Sequence, residues 1–270
     1  MNAIKMPNGA AGEYAKYACN FFTGCSCGCT YCYNRRWKWG DVPALKKCFK
    51  SEEHALEVFE KELIRNIYEL QKHGLFFTFT SDPMLPETIG LTEQALGMCR
   101  YHNIPVKILT KRTDWVEEYL LDFHNYMIGC GAKGEMVELP NIAFGFTLTG
   151  HDDLEPHAST NLERIRAAQK LKQAGFKVWF SIEPIICLKK SYQMLQMTRH
   201  IGDLYKIGLK SGRKYNKEDL KKFVNDVIWH SQNDYKIKVY FKDNLLAQAG
   251  ISREKLPANC VSRDYNMFNH

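Results

Sequence analysis

The sequence predicts an α/β protein built on a parallel sheet, either a partial (β/α)6-type barrel or a full parallel barrel. Three observations carry this. β-prone runs alternate with amphipathic helical runs about every 30 residues. Six or seven such units follow one another, and parallel strands need the crossover that a helix supplies. A cysteine-rich stretch, residues 19–33, stands directly after the first β-prone run, where a barrel carries its functional loops. A doubly wound sheet is the alternative architecture.

Residues 14–23, with Tyr14, Tyr17, Phe21 and Phe22, form the first β-prone run. Ser51 is a good N-cap, and Glu52 and Glu53 suit the positive end of the helix that follows. Leu56, Phe59, Leu63, Ile67 and Leu70 give that helix one apolar face until Gly74. Residues 75–80 are a second strand, 91–102 a helix and 106–110 a third strand. Asp114 with Glu117 forms a capping box for a helix to His124, and Gly129 to Pro140 reads as a glycine-rich loop. Residues 142–149 are the fourth strand. Thr160 with Glu163 caps a helix to Gly175, and 176–182 is the fifth strand. Weaker units follow: a helix near 191–201, a strand near 203–207, a helix at 217–230 and a strand at 236–241. No linker or low-complexity tract interrupts the series. The expectation is one domain over 1–270, with a core of about 14–241 and a C-terminal extension over 242–270.

The 270 residues are long enough for a substantial core. The net charge of +7 tolerates an anionic partner, but the charge is spread along the chain rather than gathered in blocks. No apolar run approaches the roughly 18 residues that span a bilayer, and Met1 to Gly12 has no apolar signal-peptide region. No membrane association and a cytoplasmic location are therefore expected. In a reducing compartment, clustered cysteines bind metal or do chemistry rather than form disulfides.

Five of the ten cysteines fall within residues 19–33. Cys25, Cys29 and Cys32 read C-x3-C-x2-C, with Tyr31 just before the last. Three thiolates on one loop suit a [4Fe–4S] cluster with one iron left open to an outside ligand. A structural zinc site wants four ligands in two separated pairs, and the other cysteines (48, 99, 130, 187, 260) are single. Cys19 and Cys27 are then bystanders.

C-x3-C-x-aromatic-C after the first strand of a barrel resembles the radical S-adenosylmethionine enzymes. The resemblance implies that S-adenosylmethionine chelates the open iron of a [4Fe–4S] cluster. It also implies one-electron cleavage of that cofactor to methionine and a 5′-deoxyadenosyl radical, which takes a hydrogen atom from the substrate. A one-electron donor such as flavodoxin or ferredoxin is the implied partner.

Within the superfamily, the chain lacks the usual Gly-Gly-Glu stretch after the second strand. It has Thr80-Ser81-Asp82-Pro83-Met84-Leu85-Pro86 instead, which resembles the T-D-P-Y-x-P stretch of the spore photoproduct lyase and DNA-repair-photolyase-like branch. Ser81 stands for Thr and Met84 for Tyr, and a glutamate comes one residue early at Glu87. Leu109-Thr110-Lys111, Leu154-Glu155-Pro156 with Ala158 and Arg164, and Glu183-Pro184-Ile185-Ile186 follow the same branch. The resemblance covers about residues 17–190, and the last 80 residues carry none.

These pieces sit at the C-terminal ends of predicted strands, the face where barrel sites are built. Asp82 is placed to accept from the methionine ammonium, and Lys111 to reach the ribose or carboxylate. Glu155 pairs with Arg164. Ser81, Thr149, Ser181 and Glu183 are candidate pocket residues, Tyr31 flanks the cluster, and the Tyr33 carbonyl meets the adenine by resemblance. The spore lyase returns a hydrogen atom from a cysteine late in its chain. Cys260, alone in the last 80 residues, has that place, with Cys130 and Cys187 as rivals.

The reaction expected is lyase- or oxidoreductase-like. The substrate is left between nucleic acid, a nucleotide and another small molecule. The stretch Arg35-Arg36-Trp37-Lys38-Trp39 suits bases and phosphates, or shields the cluster. The competing classes are a zinc-stabilised nucleic-acid-binding module and a non-catalytic iron–sulfur protein.

Overall fold

The computed structural model describes residues 2–36, 44–132, 141–233 and 237–268. One sheet runs through it in the order β1 (Ile4–Lys5), β2 (Ala18–Cys19), β5 (Leu75–Phe77), β6 (Val106–Thr110), β7 (Ile142–Thr147), β8 (Lys177–Ile185), β9 (Leu204–Leu209) and β10 (Lys238–Phe241). All pairings from β2 to β10 are parallel, and β1 joins β2 antiparallel. β1 and β10 are the two edges, so the sheet is an open, partial barrel rather than a closed one. A two-stranded ribbon, β3 (Phe22–Thr23) with β4 (Lys46–Lys47), brackets the cysteine loop.

Six crossovers carry the helices: α1 (Glu52–Arg65) with α2 (Ile67–His73), then α3 (Ile89–Tyr101), α4 (Val116–Ala132), α5 (Asn161–Gln173), α6 (Leu188–Thr198) and α7 (Lys217–Asn233). One apolar cluster joins helices to the outer sheet face, with Phe59, Leu63, Ile108, Phe144, Phe180 and Val224 in it. A second, drawn from no α-helix, fills the lumen with Phe76, Ala143, Trp179, Leu204 and Tyr240. That split is the alternation of a strand made visible, since successive side chains point to opposite faces. Among the described residues no helix is long and apolar enough to cross a membrane.

The local signals behave unevenly. Ser51 caps α1, accepting from the His54 amide at 3.2 Å. The single helix expected to Gly74 breaks at Asn66, whose side-chain amide turns back to the Glu62 carbonyl at 2.7 Å. Thr160 and Glu163 form their capping box. Asp114 does not cap α4: its carboxylate holds Arg112 at 3.0 and 2.7 Å, and Glu117 reaches Lys170. α4 also runs on from His124 to Ala132, so the loop expected from Gly129 begins as helix. Packing of Trp115, Tyr119 and Phe123 against Phe144 and Phe176 outweighs the cost of about 1 kcal/mol for a glycine in a helix. The rest of that loop, 133–140, lies outside the described residues.

The first β-prone run yields only β2 and β3, because Tyr14 and Tyr17 stand outside strands. The C-terminal stretch holds α8 (Asp243–Ala249) and a tail that returns to the sheet. The Val261 amide bonds the Val239 carbonyl at 2.8 Å, and Val261 and Met267 close the lumen beneath Trp179 and Tyr240.

Candidate active site

The cysteine loop leaves the sheet after β2 and crosses the C-terminal ends of β5, β6 and β7. Backbone bonds fix it there: Gly24 amide to Thr80 carbonyl at 3.0 Å, Thr30 amide to Leu154 carbonyl at 3.0 Å, and His157 amide to Cys27 carbonyl at 3.3 Å. Arg35 closes it from within, donating to the Cys29 and Gly28 carbonyls at 3.1 and 3.2 Å. Gly28 has φ 68°, and a Cβ there would meet the His157 ring at 3.0 Å, so the close approach of the two loops needs glycine. Cys25, Cys27, Cys29 and Cys32 pack together with Tyr31, Leu85 and Ala158. Cys27 and Cys29 are buried, and Cys25 and Cys32 partly so. The Cys25 thiol is held below its ordinary range, mainly by a hydrogen bond from Cys27. Burial pushes Cys29 up.

Strand-end side chains gather around this loop. Asp82 is buried and accepts from Met84 N at 3.0 Å, Thr110 Oγ1 at 2.6 Å and Lys111 N at 2.8 Å; its Oδ2 faces the Cys27 sulfur at 4.0 Å. It ties the β5 and β6 loops together beneath the cysteines. Ser81 Oγ turns to the Asp82 carbonyl at 3.4 Å. Lys111 Nζ lies 5.8 Å from the centre of the Tyr31 ring. Burial opposes its charge, but Tyr31, Cys29, Glu155 and Cys27 around it outweigh that and hold its pKa well above the ordinary lysine value. The Tyr31 hydroxyl donates to Glu155. Glu155 in turn takes Arg164 in a pair whose side chains are both 0% exposed, and Arg164 also donates to the Ser159 and Thr147 carbonyls at 2.7 and 2.6 Å. Tyr33 donates its hydroxyl to the Phe79 carbonyl.

The other expected pocket residues face the lumen at the far side of the mouth. Ser181 Oγ is 2.7 Å from the Tyr14 hydroxyl, which donates to Glu183 at 2.5 Å. Lys242 grips both Glu183 oxygens at 3.0 Å. A Cβ on Gly208 would stand 2.7 Å from the Lys242 side chain and 2.8 Å from the Glu183 carboxyl carbon, so glycine makes room for this pair. Lys107 and Lys206 both donate to the Tyr14 carbonyl, at 2.9 and 3.0 Å, and Lys206 also to that of Glu13 at 2.6 Å. Burial lowers Lys107 to about 8, and burial, with Lys107 and Lys242 close by, holds Lys206 well below the ordinary lysine value. Thr149 is buried behind the β7 end, its amide on Asn161 Oδ1 at 3.0 Å and its hydroxyl accepting from His151 N at 3.2 Å.

Of the three candidate hydrogen donors, only Cys187 stands at the mouth, as the N-cap of α6 just after β8. Cys130 is buried near the end of α4, in the helical layer outside the sheet. Cys260 bridges to Val239, at the N-terminal half of β10, so it lies at the opposite end of the barrel from the cysteine loop. Burial raises its thiol to about 11. Trp37, Lys38 and Trp39 lie outside the described residues.

The lumen floor of Glu13, Tyr14, Lys107, Lys206 and Lys242 escaped the sequence reading. A signal for it existed: Lys107 and Lys206 interrupt apolar strands at inward-facing positions, where a lysine must find a partner.

The donor set fits an iron–sulfur cluster: soft thiols on one loop, a cation beside them and an apolar surround. Among the described residues no three His, Cys, Asp or Glu side chains converge to hold a single ion.

No protein-family model matches the sequence, and no curated relative matches it. Among solved structures, the crystal structure of Streptococcus suis SuiB bound to S-adenosylmethionine superposes with a TM-score of 0.52. The likeness establishes the fold. It covers 82% of this chain and 49% of the SuiB chain at 11% identity, so this chain spans about half the length of that protein. A second SuiB crystal structure superposes with a TM-score of 0.46 at 12% identity, over 76% of this chain and 47% of its own.

Proposed function

We propose that the chain is a radical S-adenosylmethionine enzyme, with Cys25, Cys29 and Cys32 as ligands of a [4Fe–4S] cluster. The observation that carries the reading is the seat of the C-x3-C-x-Tyr-C loop: it lies over the C-terminal ends of parallel strands, with Asp82, Lys111 and Glu155 brought around it. SuiB, the structural neighbour, is bound to S-adenosylmethionine in its crystal structure, and the shared fold supports the same cofactor here. When bound, the pair of cofactors would supply a 5′-deoxyadenosyl radical able to take a hydrogen atom from a substrate.

The chain's own residues do the rest. Lys111 places positive charge beside the thiolates and the carboxylate end of the cofactor. The Tyr31–Glu155–Arg164 relay fixes the loop. Asp82 holds the β5 and β6 loops with three donors and keeps one lone pair toward the loop. Ser181 and the Tyr33 carbonyl line the remaining cofactor side, Thr149 backs the β7 end behind them, and Glu183 faces the substrate. Cys187 is the thiol placed to return a hydrogen atom. A flavodoxin- or ferredoxin-like protein supplies the electron, and the setting is cytoplasmic. The narrower assignment to the spore photoproduct lyase branch, with lyase chemistry, rests on the sequence pieces alone. A zinc module or an electron carrier has no use for Asp82 and Lys111 at those strand ends.

Protein made and reconstituted without oxygen is expected to be brown, and to release 5′-deoxyadenosine when reduced with S-adenosylmethionine. Alanine at any one of Cys25, Cys29 and Cys32 removes both signals. Bound zinc in a colourless wild-type protein, or a cluster without cofactor cleavage, overturns the reading.

A further inference from the structure

We infer that the substrate carries phosphate groups, received by a basic rim formed by the segments after β8 and β9. The inference rests on the reading that the mouth of the barrel is the reactive end. β8 and β9 run parallel, with Ile185 opposite Leu209, so residues 186–190 and 210–215 leave the sheet on the same side. Two bonds staple them together: Arg213 Nη1 to the Ile186 carbonyl at 3.0 Å, and the Tyr215 hydroxyl to the Ile185 carbonyl. The rim carries Lys189, Lys190, Lys210, Arg213 and Lys214. Lys189, Arg213 and Lys214 are exposed, and Lys190 and Lys210 half-buried. Lys189, Lys210 and Lys214 make no ion pair among the described residues.

Little opposes this charge. From Pro184 to Lys217 the one carboxylate is Asp203. It lies before β9, at the other end of the sheet, where it binds Lys172 and the Val178 amide at 2.5 and 2.8 Å. Glu183 below the rim is neutralised by Lys242. Asp153 stands 3.5 Å from His151, which meets Lys190 at 3.4 Å, and Glu218 and Asp219 follow in the first turn of α7. Five cations over a low-dielectric lumen focus a positive potential at its mouth. The Arg213 guanidinium lies 5.0 Å from the Tyr215 ring centre, a planar donor fork already stacked, which suits phosphate oxygens better than a point charge does. The phosphate can come from a nucleotide or from a single-stranded nucleic acid.

The test is equilibrium binding to the full chain, with a fluorescent single-stranded oligonucleotide, GTP, and a polyglutamate peptide as probes. With four phosphates contacted, affinity for the oligonucleotide falls about fiftyfold between about 50 and about 200 mM salt. Reversing Lys189, Lys190, Lys210 and Lys214 to Glu abolishes binding of the phosphate probe. Reversing two exposed lysines elsewhere, Lys61 and Lys221, leaves it within about twofold. Circular dichroism checks the fold, and alanine at the same four positions replaces glutamate if the reversed variant does not fold. Binding of GTP alone assigns the phosphate to a small nucleotide, and of the oligonucleotide alone to a polymer. No binding of either at low salt overturns the inference. So does equal loss in the control variant, or polyglutamate bound as tightly. None of these readings needs the cluster, so brown colour and 5′-deoxyadenosine release stand or fall separately.

Discussion

The two sides of the barrel mouth are built differently. On the β5–β7 side a contiguous cysteine loop is clamped by backbone bonds and by one relay, Tyr31 to Glu155 to Arg164. On the lumen side no loop is in charge: Glu13, Tyr14, Lys107, Ser181, Glu183, Lys206 and Lys242 come from five separate segments, from β6 round to the end of β10, and meet in the lumen. The first side holds reactive groups in place. The second balances buried charge, with three lysines set against two carboxylates and two backbone carbonyls.

The comparison breaks hardest at the relay. Glu155→Gln leaves Arg164 buried without its counter-charge, and removing one partner of such a pair costs about 3–5 kcal/mol. The expected result is a large loss of stability in urea titration, with the cysteine loop released and cluster content reduced. Glu155→Gln with Arg164→Met restores part of the stability without restoring the hold on Tyr31. Equal cluster content in the single variant and the wild type would show that the relay does not hold the loop.

The lumen side answers to pH instead. Burial takes Lys107 from an ordinary 10.5 to about 8, a difference of about 3 kcal/mol. The unfolded chain binds more protons between those two values, so the contribution of Lys107 to stability rises with pH across that window, and its penalty is fully present below about 8. The stability of wild type minus that of Lys107→Met should therefore climb by about 3 kcal/mol from pH 8 to pH 10.5. A flat difference would mean that Lys107 is solvated, and that the lumen is wetter than its packing implies.

This contrast explains what the sequence made legible. C-x3-C-x-Tyr-C is readable because its chemistry depends on residues close in the chain. Glu155 and Arg164 are readable because one helical turn and a loop separate them. The β6, β8 and β10 strands show through composition. Tyr14 does not: its role depends on β6, β8 and β9 converging on it, a juxtaposition that no local pattern encodes. Cys260 looked eligible by its place late in the chain, but the tail that carries it folds back to the lower end of β10. α8 was missed because Asp243–Ala249 is too short to show a periodicity.

The smallest and sharpest change is Tyr14→Phe. It removes one hydroxyl that meets Ser181 at 2.7 Å and Glu183 at 2.5 Å, and leaves the ring against Phe76, Phe79 and Trp179. Glu183 keeps both contacts to Lys242, so no carboxylate is stranded. The loss is then that of a hydrogen bond to a charged group, about 1.5–3 kcal/mol, read from the urea midpoint. Because the two sides share no bond through Tyr14, cluster content and colour should not move. If Tyr14→Phe drains the cluster, the floor reaches the cysteine loop through the Phe79 carbonyl and Tyr33, and the two sides are one unit. If only the midpoint moves, the lumen floor is a separate scaffold under the site, free to vary with the substrate while the cysteine side stays fixed.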